Sequence, residues 1–134
     1  VASQRLLPLR GEAEAAHIQT TIGQLRAALG LTAAEMIVRE GLASLQSLPG
    51  SNPIALFETP PRNYVGEVSL VAQAELPPGS WYFLPETGQL GYRIEHQETL
   101  TAIGNTDLNL HWIIELERNI QLVEVIDMHQ YVRR

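Results

Sequence analysis

The sequence predicts an α+β fold: a long N-terminal amphipathic helix and short helices packed on an antiparallel meander sheet of about four strands. Three observations carry this expectation. From Gln4 to Leu29 the apolar residues keep helical spacing, with Ile18, Ile22, Leu25 and Leu29 at i, i+4, i+7 and i+11. Ser80 to Glu95, rich in aromatics, reads as a β-hairpin. Leu108, Leu110, Trp112, Ile114 and Leu116 then alternate with Asn109, His111, Ile113 and Glu115, the period of a half-buried strand.

The first helix has Arg10, Glu12, Glu14, Gln19, Gln24 and Arg26 mostly off its apolar stripe. Pro8 predicts a bend or a helix start near it. Gly23 costs roughly 1 kcal/mol relative to alanine and marks a close packing contact. Gly30 is the expected stop. Thr32-Ala33-Ala34-Glu35 then has capping-box spacing, with Leu31 and Met36 as the staple, and predicts a second helix carrying Ala34, Ile37, Val38 and Leu42 on one face. Asn52-Pro53 reads as an N-cap with proline at the first helical position, opening a short turn through Phe57. Glu67 to Ala72 is a first, weak strand. In the hairpin Trp81 and Phe83 share a face, as do Leu90, Tyr92 and Ile94, and Pro85-Glu86-Thr87-Gly88 is the turn. Gly104 to Asp107 makes a break, and Arg118-Asn119 turns into a last strand, Ile120 to His129. The whole is expected to be one domain: 1–48 helical, 49–79 a short helix and loops, 80–134 the sheet. Within it, Trp81, Phe83, Tyr92, Trp112 and Ile114 are the expected sheet core.

At 134 residues, 45% hydrophobic and 18% charged, the chain can bury one core. A net charge of −6 disfavours nucleic acid, whose binding needs Lys and Arg against phosphates. The absence of cysteine excludes disulfides, thiolate zinc sites and a cysteine nucleophile. No apolar run reaches the roughly 18 residues of a membrane span.

Motifs for chemistry are weak. His17, His96, His111 and His129 lack metal-ligand spacing and read as surface or packing residues. Glu115, Glu117, Glu124 and Asp127 sit on neighbouring predicted strands; a pair such as Glu115 and Glu124 could share a cleft, but a solvated sheet face is the favoured reading. Asn105, Asp107 and Asn109 alternate as calcium ligands do, without the rest of such a loop. Gly79-Ser80-Trp81 lacks the second glycine of a nucleophile elbow. Gly88-Gln89-Leu90-Gly91 is no phosphate loop, since no Lys-Ser/Thr follows. The aromatics Trp81, Tyr82, Phe83 and Tyr92 are read as cross-strand packing before a stacking platform. No catalytic residue, cofactor or metal is expected.

The order of parts resembles a known family. A helical stem from Gln4 to Leu29, the segment Gly50 to Phe57 with its Ser-Asn-Pro, the Asn-Tyr-x-Gly loop of Asn63 to Gly66, and the hairpin of Leu76 to Arg93 are similar to the soluble region of type IV pilin-like proteins. Among these the chain most resembles a minor pilin or a type II secretion pseudopilin. The resemblance implies a filament subunit, acting through contacts with other pilin or pseudopilin subunits and an inner-membrane assembly platform. It implies an N-terminal anchor in the inner membrane, a leader removed by a peptidase that methylates the new N-terminus, and a place in the periplasm or on a cell-surface filament. Residues 1–134 do not include the leader, the anchor or its acidic residue, and they depart from the pattern in having no C-terminal cysteine pair. With no calcium loop, a minor subunit fits better than a major one. Because Val1 opens in mid-helix, an anchor preceding it is expected.

On this reading Ile18, Ile22, Leu25 and Leu29 are the expected assembly face, and a stripe of the first helix should stay unburied. The alternative is a periplasmic, membrane-anchored sensor or small-ligand module, with a deep pocket lined by Trp81, Tyr92 or Trp112. A small hydrolase would need converging polar groups that the sequence does not offer.

Overall fold

The computed structural model describes residues 2–104 and 107–126, with side chains described from Arg10 onward. The architecture is α+β: one long helix packed on a five-stranded, mostly antiparallel sheet. Helix α1 spans Ala2–Glu40. Short 3-10 helices follow at Leu42–Ser47 and Pro53–Leu56, then strand β1 (Tyr64–Glu67) and a third 3-10 helix at Leu70–Glu75. Strands β2 (Trp81–Leu84) and β3 (Gln89–Arg93) form the aromatic hairpin. Helix α2 (Glu98–Ile103), β4 (Asn109–Leu116) and β5 (Ile120–Glu124) complete the order.

Sheet order follows chain order, β1 to β5. The hairpin register pairs Trp81 with Tyr92 and Phe83 with Leu90, and β4 sets Trp112 beside Leu90 and Ile114 beside Leu122. Period-2 alternation therefore gathers Trp81, Leu90, Tyr92, Leu110, Trp112, Ile114 and Leu122 on one face. There they close a core with Ile18, Ile22, Leu25 and Leu29 of α1. Trp81 lies 4.6 Å from Tyr92 and 5.6 Å from Trp112, centroid to centroid. All five expected sheet-core residues are buried, Phe83 outside this main cluster. On the opposite face Tyr82, Leu84, Ile113 and His111 are buried too.

Several local readings match. Asn52 caps its short helix by accepting from the Ile54 amide at 3.0 Å, with Pro53 at the first position. The Pro85–Gly88 turn closes the hairpin, and Gly88 takes φ +70. A Cβ there would also lie 2.8 Å from the Gly50 carbonyl oxygen, so only glycine fits.

Others are corrected. The helix does not stop at Gly30; it continues to Glu40, and Thr32 and Glu35 are interior residues rather than a capping box. A glycine inside a helix costs roughly 1 kcal/mol, and burial of Leu29 and Ala33 on either side of it outweighs that. The stop falls at Gly41, whose φ of +90 a side chain would resist. Of the two expectations for Pro8, a helix start is excluded, because α1 already begins at Ala2. The first strand is Tyr64–Glu67, running parallel to β2, whereas residues 70–75 are a 3-10 helix. Helix α2 was not expected. The predicted end of the last strand, including Asp127 and His129, lies outside the described residues.

Candidate assembly surface

Two faces of α1 differ in what they meet. The inner face begins at Gly11 and Glu14 and runs through Ala15, Ile18, Ile22, Leu25, Leu29 and Ala33, all buried. This overturns the expected role of Ile18, Ile22, Leu25 and Leu29. They cannot be an assembly face in the folded domain, because the sheet already covers them.

Glu14 is the polar lock of this inner face. Its side chain is 6% exposed, four residues before Ile18 and so on the same stripe. One carboxylate oxygen accepts from the Tyr92 hydroxyl (2.5 Å) and the Glu95 amide (2.7 Å). The other accepts from the His96 amide (2.8 Å) and the Thr99 hydroxyl (2.5 Å). Burial alone would push this carboxyl up, but the hydrogen bonds from Thr99, Tyr92, Glu95 and His96 outweigh it and hold the pKa below the usual 4.5. Burial, and the bond to Glu14, push the Tyr92 hydroxyl far up, so it stays a donor. One turn earlier Gly11 lets α2 approach: a Cβ there would sit 2.6 Å from the Glu98 carbonyl carbon. At the other sheet edge the Arg26 Nε donates to the Leu122 carbonyl at 3.0 Å, covering part of the open side of β5.

The outer face is unlike an ordinary solvent face. At 3.6 residues per turn, Ala13, Ala16, Thr20, Gly23, Ala27, Gly30, Leu31, Ala34 and Val38 fall within about 60° of one direction. All are exposed. No charged residue between Ala13 and Val38 shares that sector. Leu31 is 65% exposed, Val38 86% and, just past the helix, Leu42 71%. Among the described residues, and apart from the helix's own adjoining backbone, nothing lies within 4 Å of where a Cβ would stand on Gly23 or Gly30. Gly23 is therefore open outward, not packed within the subunit. An exposed apolar stripe does remain on the first helix, on the side opposite the one named from sequence.

The remaining candidate residues do not converge. The His17 Nε2 accepts from the Trp81 indole N–H at 3.3 Å and thereby packs against the core. His96 serves through its backbone amide, and its ring lies 3.8 Å from the Glu95 carboxylate. His111 is buried on the far sheet face, with its Nε2 3.0 Å from Gln73 Oε1 and 3.3 Å from the Tyr82 hydroxyl, which donates to Asn109 Oδ1 at 2.9 Å. Burial pulls the His111 pKa down, with Asp107 opposing. The register sets Glu115 beside Gln121 but Glu124 beside Trp112, so those two carboxylates lie on opposite faces. Asn105 lies outside the described residues, and Asn109 is engaged by Tyr82. Ser80 is buried. Among the described residues no cluster of His, Asp and Glu could hold a metal ion, and no helix is long and apolar enough to cross a membrane.

Trp81 and Tyr92 fill the core, while Trp112 also borders a cleft of about 340 Å³ together with Ile18, Ile22, Arg26, Leu110 and Glu124. An open cleft of about 700 Å³ lies between α1 and the loop after Phe57, bordered by His17, Thr20, Gln24, Phe57, Glu58 and Arg62. No family model, curated protein or solved structure matches this chain.

Proposed function

We propose that this chain is a structural, non-enzymatic assembly subunit of the minor pilin or pseudopilin kind, in a type IV pilus or a type II secretion filament. The observation that carries the reading is the outer face of α1, uncharged from Ala13 to Val38 and open at Gly23 and Gly30. Two exposed glycines in a helix interior cost roughly 1 kcal/mol each relative to alanine, and no intramolecular contact repays them. Exposed apolar side chains on the same face work against solubility. Both features make physical sense if another helix lies there, because small residues let backbones approach closely.

On this reading the sheet and α1 form a rigid head, and the stem's outer face packs on neighbouring subunits of the filament. On the same reading the subunit is anchored in the inner membrane and places this domain in the periplasm or in a cell-surface filament. Its partners are other pilin-like subunits and the assembly platform. Burial of Trp81 and Tyr92 within the core supports this over a small-ligand module.

The test is substitution on the outer face. Ala27→Glu or Gly30→Glu, introduced into the full-length protein in its host, is expected to abolish filament assembly or secretion. The isolated domain should keep its stability to within about 1 kcal/mol. Normal assembly with both variants would contradict the proposal.

A further inference from the structure

On the flank of α1 that faces β5 lies the cleft of about 340 Å³. Small-molecule sites enclose roughly 300–1,000 Å³, so this one has room for a single small ligand and not for a folded partner. Four regular elements build it. Ile22 and Arg26 come from α1, Ile103 from α2, Trp112 from β4 and Glu124 from β5. Walls carried on helices and strands are formed before any ligand arrives.

The cleft has an apolar floor and two opposite charges. Ile22 and Trp112, 4% and 3% exposed, belong to the floor. The β4–β5 register sets Glu124 directly beside Trp112, so the carboxylate stands on the same sheet face as the indole. Arg26 is tethered through its Nε, which donates to the Leu122 carbonyl at 3.0 Å. That bond orients the planar guanidinium and leaves both Nη groups as donors. They make no hydrogen bond within the chain, and neither Arg26 nor Glu124 has an ion-pair partner. A cation and an anion that border one cleft without pairing complement a ligand carrying both signs.

We propose that this cleft binds a free α-amino acid with an apolar side chain. The α-carboxylate accepts from the two Arg26 Nη groups, end-on and bidentate. The α-ammonium donates to the Glu124 carboxylate, and the side chain rests on Trp112, Ile22 and Ile103. Each substituent of the α-carbon then meets a group of matching chemistry. A simple carboxylic acid would leave Glu124 unmatched, and a simple amine would leave Arg26 unmatched. Bound there, the ligand bridges α1 and β5. The site is separate from the outer face of α1 and does not rest on the assembly reading.

The test is titration of the 134-residue chain with L-leucine and with L-phenylalanine, followed by NMR at the Trp112 indole N–H and the Ile103 and Glu124 amides. At least one of the two is expected to shift these signals saturably. Its analogue without the ammonium (4-methylpentanoate or 3-phenylpropanoate) and its carboxamide should each bind at least about tenfold more weakly, because each lacks one charge-assisted contact. Glu124 is exposed, so Glu124→Gln should keep its Tm within about 2 °C while binding at least about tenfold more weakly. Glu115→Gln, on the opposite sheet face, should bind like wild type. No saturable shift with either amino acid up to about 50 mM would overturn the proposal. So would equal binding of the truncated analogues, or undiminished binding by Glu124→Gln. None of these results bears on the outer face of α1, whose own test is the Glu substitutions at Ala27 and Gly30.

Discussion

Replacing Glu14 should loosen the joint between stem and sheet more than any surface charge change. In Glu14→Ala two backbone amides, Glu95 and His96, lose their acceptor, as do the Tyr92 and Thr99 hydroxyls. Hydrogen bonds to a charged group contribute about 1.5–3 kcal/mol each, but they act together and the carboxylate's own desolvation offsets part of the gain, so about 3 kcal/mol is expected. For a chain of this size that is a fall in Tm of about 12 °C. Glu14→Gln is the sharper variant. Each carboxylate oxygen meets one backbone N–H, so either orientation of the amide points its NH₂ at a donor that cannot reverse. Its cost should be about 2 kcal/mol despite equal size. The assay is urea unfolding followed by Trp fluorescence, with hydrogen exchange at the Glu95 and His96 amides. The folded carboxyl titrates below 4.5, so its contribution is complete above that pH and is lost as pH falls through the folded value. The wild-type advantage over Glu14→Gln should therefore shrink as the pH falls below 4.5. A Glu14→Gln protein within about 0.5 kcal/mol of wild type at pH 7 would refute the reasoning.

Other expectations follow from the same packing. Gly91→Ala places a Cβ inside the space of the Tyr82 ring, and should cost about 2–3 kcal/mol and disturb the Tyr82–Asn109 hydrogen bond, read from urea melts and tyrosine spectra. Gly23→Ala and Gly30→Ala should each stabilise the isolated domain by about 0.5–1 kcal/mol, since their Cβ meets nothing; a loss of stability would mean that the helix is not regular there. His111 is held neutral by burial, so the unfolded chain protonates near 6.5 and the folded one only at lower pH. Its contribution is complete above pH 6.5 and declines below it, and His111→Gln should flatten the fall in Tm between about pH 6.5 and 5.

What the sequence disclosed depended on how much each signal weighed against tertiary packing. The alternation through β4 and the hairpin turn were legible because both are local, and the α+β class followed. Gly30 with the Thr32–Glu35 pattern misled because cap propensities of about 1 kcal/mol yield to burial of Leu29 and Ala33. The parallel pairing of β1 with β2 is non-local and leaves no short-range mark. Helix α2 is too short for periodicity, although Gly104 at its end was visible as a break. Glu14 was set among the outward charges, yet its position four residues before Ile18 placed it on the buried stripe. The outer face is faint in the sequence because alanine and glycine carry little hydropathy. Their three-four spacing is the mark it leaves.

The central claim is that the outer face of α1 is covered in the assembled state. Thiol accessibility tests it directly. Ala27→Cys and Ala34→Cys, carried by the full-length subunit in its native membrane, are predicted to resist a maleimide reagent when the filament system is assembled and to label readily when its other subunits are deleted. Val71→Cys should label in both states. Labelling of Ala27→Cys and Ala34→Cys at the rate of Val71→Cys in the assembled system would contradict the account.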